Sequence, residues 1–129
     1  MERVENNAFR GCTSLTSIIW NAKECYGTDY SVFAFKDIAS QITSINFGNE
    51  VKIVPAFLCY GMQNLTTITL PKSVTDIDEG AFYECSSLVS VDIPNSVKTI
   101  RKYAFQNCTS LASIVISNSV TDIGWSAFE

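Results

Sequence analysis

The chain repeats itself every 23 residues, and this period constrains its fold more than any other feature. Val51, Val74, Val97 and Val120 keep the 23-residue step, as do Val54, Ile77, Ile100 and Ile123. Leu65, Leu88 and Leu111 form a third series. Phe47, Leu70, Ile93 and Ile116 form a fourth, and Ile45, Ile68, Val91 and Ile114 a fifth. Five apolar columns at one fixed period describe the stacked turns of a solenoid, in which each repeat contacts only its neighbours. Such a chain presents extended surfaces and seldom builds a pocket.

The copy from Val74 to Asn95 shows what one turn does. Leu88, Val91 and Ile93 are apolar, and Ser90 and Asp92 between them are polar. Alternation of period two over a short β-branched stretch predicts a strand with one buried face. Pro94 and Asn95 end it, because proline cannot continue a ladder. Val74 and Ile77 then point back from the opposite wall, as a possible second extended segment. Gly80 opens a bend, and Ala81, Phe82 and Cys85 complete the inward set. Burying a large apolar side chain contributes roughly 1.5–3 kcal/mol, while ordering each residue costs about 1–2 kcal/mol. One turn alone cannot offset that cost, so neighbouring turns must close each other's faces. The prediction is a β-rich right-handed superhelix with one short parallel strand per 23-residue turn, about five strands stacked in one sheet, and little helix. Leu15, Ile42, Leu65, Leu88 and Leu111 should form one buried ladder.

The earlier copies are less regular. Val4, Ala8, Phe9, Cys12, Leu15, Ile18 and Trp20 match Ile77, Ala81, Phe82, Cys85, Leu88, Val91 and Ile93. Leu15 to Ile42 is 27 residues rather than 23, so this turn holds four extra residues. Three fall between Trp20 and Ala34 and predict a surface insertion near residues 21–33; the fourth falls between Ile38 and Ile42. Ala56-Phe57 lies two residues early for the Ala-Phe columns, which predicts a local backbone shift to bury Phe57. The sequence starts and stops inside a repeat, so residues 1–129 are expected to form a single domain of about five turns within a longer protein. The end turns should expose Val4, Phe9 and Leu15 on one side and Ile114, Ile116 and Ile123 on the other, inviting end-to-end association or fraying.

Composition excludes several functions. There is no histidine. That removes the commonest general base, the Ser-His and Cys-His nucleophile pairs and the commonest zinc ligand. A net charge of −4 without a basic run argues against nucleic acid. No apolar stretch reaches the ~20 residues that span a bilayer, and Met1-Glu2-Arg3-Val4 does not begin a signal peptide. Cys12, Cys85 and Cys108 share one inward column. Parallel side chains in turns ~4.7–4.9 Å apart keep Cβ atoms beyond the ~3.5–4.5 Å of a disulfide, so these are expected to be buried thiols that fill the core. Without a C-x-x-C pair or a histidine, zinc is disfavoured. Cys25, in the insertion, and Cys59, in the Phe column, receive no role. Asp76-Ile77-Asp78-Glu79-Gly80 resembles the start of a calcium loop, but Ser87 stands where the closing Glu is required. Asn64-Leu65-Thr66 and Asn107-Cys108-Thr109 match the N-glycosylation pattern only because Leu65 and Cys108 belong to repeat columns. Trp20 and Phe47 are expected in the core; Tyr103 and Trp125 fall on the outward side of the bend.

Two outward columns on the strand face make the candidate binding surface. Ser17, Ser44, Thr67, Ser90 and Ser113 form one column of small hydroxyls. Ile19, Asn46, Thr69, Asp92 and Val115 form the other, which varies from turn to turn and so could carry selectivity.

Ala81-Phe82-Tyr83-Glu84-Cys85-Ser86-Ser87-Leu88 followed by Ile93-Pro94-Asn95-Ser96-Val97 resembles the repeat unit of the BspA-like, or Treponema pallidum-type, leucine-rich repeats. Ala104-Phe105-Gln106-Asn107-Cys108-Thr109-Ser110-Leu111 repeats it, with Ser117 in the proline column. The likeness covers almost the whole chain apart from about Asn21 to Val32. It implies a leucine-rich-repeat solenoid from a surface or secreted protein of a host-associated bacterium, one that looks like an adhesin. The expected function is non-enzymatic adhesion or protein binding through the strand face, to a protein or glycan on a host or neighbouring cell. The alternatives are a structural spacer or targeting module joined to other domains, or part of a carboxylate-based hydrolase whose site lies mostly elsewhere. No catalytic residue, cofactor or metal ligand is assigned.

Overall fold

The computed structural model describes residues 4–5, 7–25 and 34–129. Most of the expected insertion, residues 26–33, lies outside the described residues. Eight short strands and one 3-10 helix make up the regular structure: β1 (Ser17–Trp20), the helix (Lys36–Gln41), β2 (Ser44–Phe47), β3 (Ile53–Val54), β4 (Thr67–Thr69), β5 (Asp76–Ile77), β6 (Ser90–Asp92), β7 (Thr99–Ile100) and β8 (Asp122–Ile123). Every pairing is parallel. The chain is therefore a parallel β-solenoid with almost no helix, as its period requires.

The strands build two walls rather than one sheet. On the front wall β1 pairs with β2 and β4 with β6, while β2 and β4 lie side by side without a ladder. The fifth row, Ser113–Val115, carries no strand. On the second wall β3, β5, β7 and β8 form a continuous four-stranded sheet. Its register is the sequence period made visible: Val54 pairs with Ile77, Ile77 with Ile100, and Ile100 with Ile123. The second wall therefore holds the longest ladder, although its strands are only two residues long. On the front wall Ser17 pairs with Ser44, the 27-residue step expected for the enlarged turn. The extra residue before Ile42 is absorbed by the 3-10 helix, which buries Ile38 and Ala39.

The bend joining the second wall to the front wall is also tied from turn to turn. Phe57, Cys59 and Gly61 donate their N–H groups to the carbonyls of Glu79, Ala81 and Tyr83 at 2.9–3.0 Å. Gly80, Phe82 and Glu84 do the same to Lys102, Ala104 and Gln106. The intervening amides bond within their own turn, as Tyr83 does to Gly80 at 2.9 Å. Buried backbone groups on this bend thus alternate between neighbouring-turn and same-turn partners. The alternation needs left-handed backbone at two columns. One holds Asn7, Phe57, Gly80, Tyr103 and Ser126, and the other Gly11, Gly61, Glu84 and Asn107, all with φ between 52° and 84°.

Phe57 does not shift the backbone, contrary to the expectation. Its N–H keeps the register of the Gly80 column, and its ring is buried by lying against the space that Gly80 leaves without a side chain.

The core follows the columns. Val51, Val54, Leu65, Val74, Ile77, Leu88, Val97 and Ile100 are fully buried, as is Ile42. Phe82, Phe105 and Phe128 stack in parallel, with centroids 5.1 and 5.3 Å apart. Trp20 is buried, its ring edge-on to Phe35, while Phe47 is half-buried against the core. The Leu ladder is sealed in the middle and only half-buried at Leu15 and Leu111. Val4, Phe9, Ile114 and Ile116 are likewise half-buried, and Ile123 is half exposed.

The thiols divide. Cys59, Cys85 and Cys108 are buried and free. Cys85 Sγ donates to the carbonyl of Cys59 at 3.2 Å, and Cys108 Sγ to that of Phe82 at 3.2 Å. Each thiol is thus covered by the turn before it. Cys12 is exposed, a correction to its expected burial. It occupies the first turn, where the described residues supply no preceding Phe-column carbonyl to cover it.

Candidate binding face

Parallel pairing sets the front-wall side chains in columns. Ser17 faces Ser44 and Ile19 faces Asn46; Thr67 faces Ser90 and Thr69 faces Asp92. Ser17, Asn46, Thr67, Thr69, Ser90, Asp92 and Ser113 are exposed, and Ser44 is half-buried. Ile19 and Val115, at the two ends of the variable column, are 73 % and 82 % exposed. The residues between them are an amide, a hydroxyl and a carboxylate. Thr67, Thr69, Ser90, Asp92, Asn95 and Val115 line a shallow open groove on this wall. Beside it lies a second depression, bordered by Pro71, Lys72, Pro94 and Asn95, where the strands turn away.

The face offers hydrogen bonds and two apolar ends, with no activated nucleophile. Among the described residues no group of three or more His, Cys, Asp or Glu side chains gathers to hold a metal. Apart from the exposed Cys12, the thiols are suppressed by burial. Desolvation pushes the Cys59 and Cys85 thiols up from their usual value and raises Cys108 to about 11, so all three stay protonated at neutral pH. Cys25 is also buried and its thiol raised by desolvation.

The bend carries features that the columns did not reveal. Arg101 pairs with Asp78 and Lys102 with Glu79, both at 3.3 Å. In each pair opposite charges sit 23 residues apart, a signal readable from the sequence. Rings of Phe57, Tyr60, Tyr83, Tyr103 and Trp125 run in contact along the same bend. Trp125 is exposed, as its outward position suggested, while Tyr103 is half-buried.

A parallel solenoid with a Leu ladder, a Phe stack and a hydroxyl-lined strand face defines a leucine-rich-repeat module. The family model described as "BspA type Leucine rich repeat region" matches residues 1–39 and 28–129, with six copies of the repeat. The chain belongs to this family. Its fold is similar to that of a leucine-rich repeat protein from Bacteroides ovatus, at 36 % identity and TM-score 0.75, over 92 % of this chain and 30 % of that one. A leucine-rich repeat protein from Eubacterium ventriosum is similar at 31 % identity and TM-score 0.67, over 95 % of this chain and 32 % of that one. The Treponema pallidum leucine-rich repeat protein shares the fold at 21 % identity and TM-score 0.72, over 96 % of this chain and 67 % of that one. The chain thus spans about a third of the length of its Bacteroides and Eubacterium counterparts. No curated protein matches it. No helix among the described residues is long and apolar enough to cross a membrane.

Proposed function

We propose that this chain is a non-enzymatic repeat module of a cell-surface or secreted protein, mediating adhesion or protein binding through its front wall. The supporting observation is the variable column. Ile19, Asn46, Thr69, Asp92 and Val115 stand outward in successive turns along the front wall. Parallel stacking repeats the backbone from turn to turn and changes only what projects from it. A partner that lies along the wall therefore meets a different side chain at each step. The family supports a place at the surface, since BspA-like proteins resemble adhesins of host-associated bacteria. The partner is a protein or glycan of a host or neighbouring cell.

The experiment is retention of the protein on immobilised matrix proteins, glycans and intact cells, comparing the wild type with Asp92→Arg. Asp92 is exposed and makes no ion pair among the described residues, so reversing its charge leaves the fold intact. Binding by the wild type, weakened about tenfold in the variant, supports the reading. Retention of both proteins alike moves the contact off this wall, and retention of neither makes the module a spacer.

A further inference from the structure

The bend carries a ridge of aromatic side chains. Phe57 meets Tyr60 at 6.5 Å between centroids, and Tyr60 stacks on Tyr83 at 5.6 Å and 21°. Tyr83 meets Tyr103 edge-on at 6.3 Å, and Tyr103 meets Trp125 at 4.4 Å. The three tyrosines are half-buried and Trp125 is 63 % exposed. Tyrosine and tryptophan with one wet edge are the residues that carry much of the energy of protein interfaces. The front wall has none in its outward columns.

The ridge already holds one cation of its own. Lys102 Nζ lies 5.8 Å from the Tyr103 centroid, 5.7 Å from that of Trp125 and 3.3 Å from the Glu79 carboxylate. Ring quadrupole and carboxylate together attract a positive group. A second set of the same parts lies one step along the ridge. The Tyr60 and Tyr83 rings stack there, and burial, then the neighbouring Glu84 carboxylate, pushes the Tyr60 hydroxyl up from its ordinary pKa. No Lys or Arg among the described residues pairs with Glu84. Asp78 and Arg101 offset each other, as do Glu79 and Lys102. The charge left on the ridge is that of Glu84 and of Glu129, which takes a hydrogen bond from Gln106 at 3.3 Å. The ridge is negative, in a chain of net charge −4.

We propose that this ridge docks a basic segment of a partner protein, with an arginine lying against the Tyr60 and Tyr83 rings and pairing with Glu84. Arginine fits better than lysine because a planar guanidinium stacks on a ring while its N–H fork engages a carboxylate. The surface is distinct from the front wall and stands independently of the reading given to that wall.

The test titrates an oligo-arginine peptide into the intact protein by calorimetry, with oligo-lysine and oligo-glutamate peptides of equal length as controls. Expected are saturable binding of the arginine peptide, weaker binding of lysine and none of glutamate. Glu84→Gln and Tyr83→Leu should each weaken arginine binding about tenfold, with Glu50→Gln, at an exposed carboxylate away from both surfaces' named residues, unchanged. Glu84→Gln leaves the packing in place, so it remains decisive if Tyr83→Leu perturbs folding. Equal affinity for arginine and lysine would make the attraction diffuse charge alone and overturn the proposal. So would undiminished binding by Glu84→Gln, or an absence of binding at low salt.

Discussion

Gly80 and Phe57 provide a test of how the turns are stacked. Gly80 has φ +57°, and a Cβ built there lies 2.6 Å from Cδ1 of Phe57 and nearer still to Cε1. Gly80→Ala should therefore incur two separate costs. Left-handed backbone in a residue with a Cβ costs roughly 1–2 kcal/mol. Overpacking against a buried ring costs about 1–3 kcal/mol more. The backbone cost alone is tolerable in this column, because Tyr103 and Ser126 adopt φ 61° and 52°. In a Phe57→Ala background the ring is gone and only the first cost should remain. The measurement is urea unfolding of wild type, both single variants and the double variant, followed by tryptophan fluorescence. The expected coupling is on the order of 1–3 kcal/mol, against a total stability of roughly 5–15 kcal/mol for a domain. Additivity within about 0.5 kcal/mol would mean that Phe57 does not lie on Gly80 and that the register of the third and fourth repeats is wrong.

Other expectations concern the thiols and the ladder. A thiol reagent should label Cys12 rapidly in the folded protein and reach Cys59, Cys85 and Cys108 only on unfolding, without reductant; counting labelled sites by mass checks this. Burial raises the pKa of Cys59, Cys85 and Cys108 above the ordinary 9.0, so the fold binds their protons more tightly than the unfolded chain does. Their contribution is then whole below pH 9 and is lost as pH rises, for Cys108 between 9.0 and about 11; alkaline unfolding curves should flatten in that window in Cys108→Ala. Leu88→Ala should cost about 2–5 kcal/mol and Leu111→Ala markedly less, because Leu88 is fully buried and Leu111 is only half-covered.

The sequence was most legible where one residue type recurs at one step. Val51, Val74 and Val97 are all fully buried, and the Ser17–Ser44 pairing recovers the enlarged turn to the residue. The second wall was harder to read. Pairs such as Asp76–Ile77 are too short to show the alternation that identifies a strand, so its longest ladder was visible only as two apolar columns. The left-handed columns were masked because glycine occupies only some of their positions, with Glu84, Asn107, Tyr103 and Phe57 taking the rest. Cys12 matched its column by type, but burial in a solenoid is conferred by the neighbouring turn rather than by the residue. The aromatic ridge escaped because its rings come from different columns: Tyr60 and Tyr83 share one, while Tyr103 and Trp125 each belong to another. Their meeting is a property of the bend's geometry and not of the period. The outward columns of the front wall were legible as a face, since alternation alone points them away from the core. What binds there is decided by side chains that the repeat leaves unconstrained.

The account stands on two parallel walls generated by the 23-residue step and its one 27-residue enlargement, since these steps bring the outward residues into columns. Interproton contacts in solution test it most directly. The account predicts cross-turn contacts on both walls at once, Ile68 to Val91 on the front wall and Val54 to Ile77 to Ile100 on the second. Contacts on one wall alone, or Ile68 and Val54 paired at any step other than 23, would contradict it and dissolve the proposed binding face with it; the enlarged turn keeps its own step of 27, from Ile18 to Ile45.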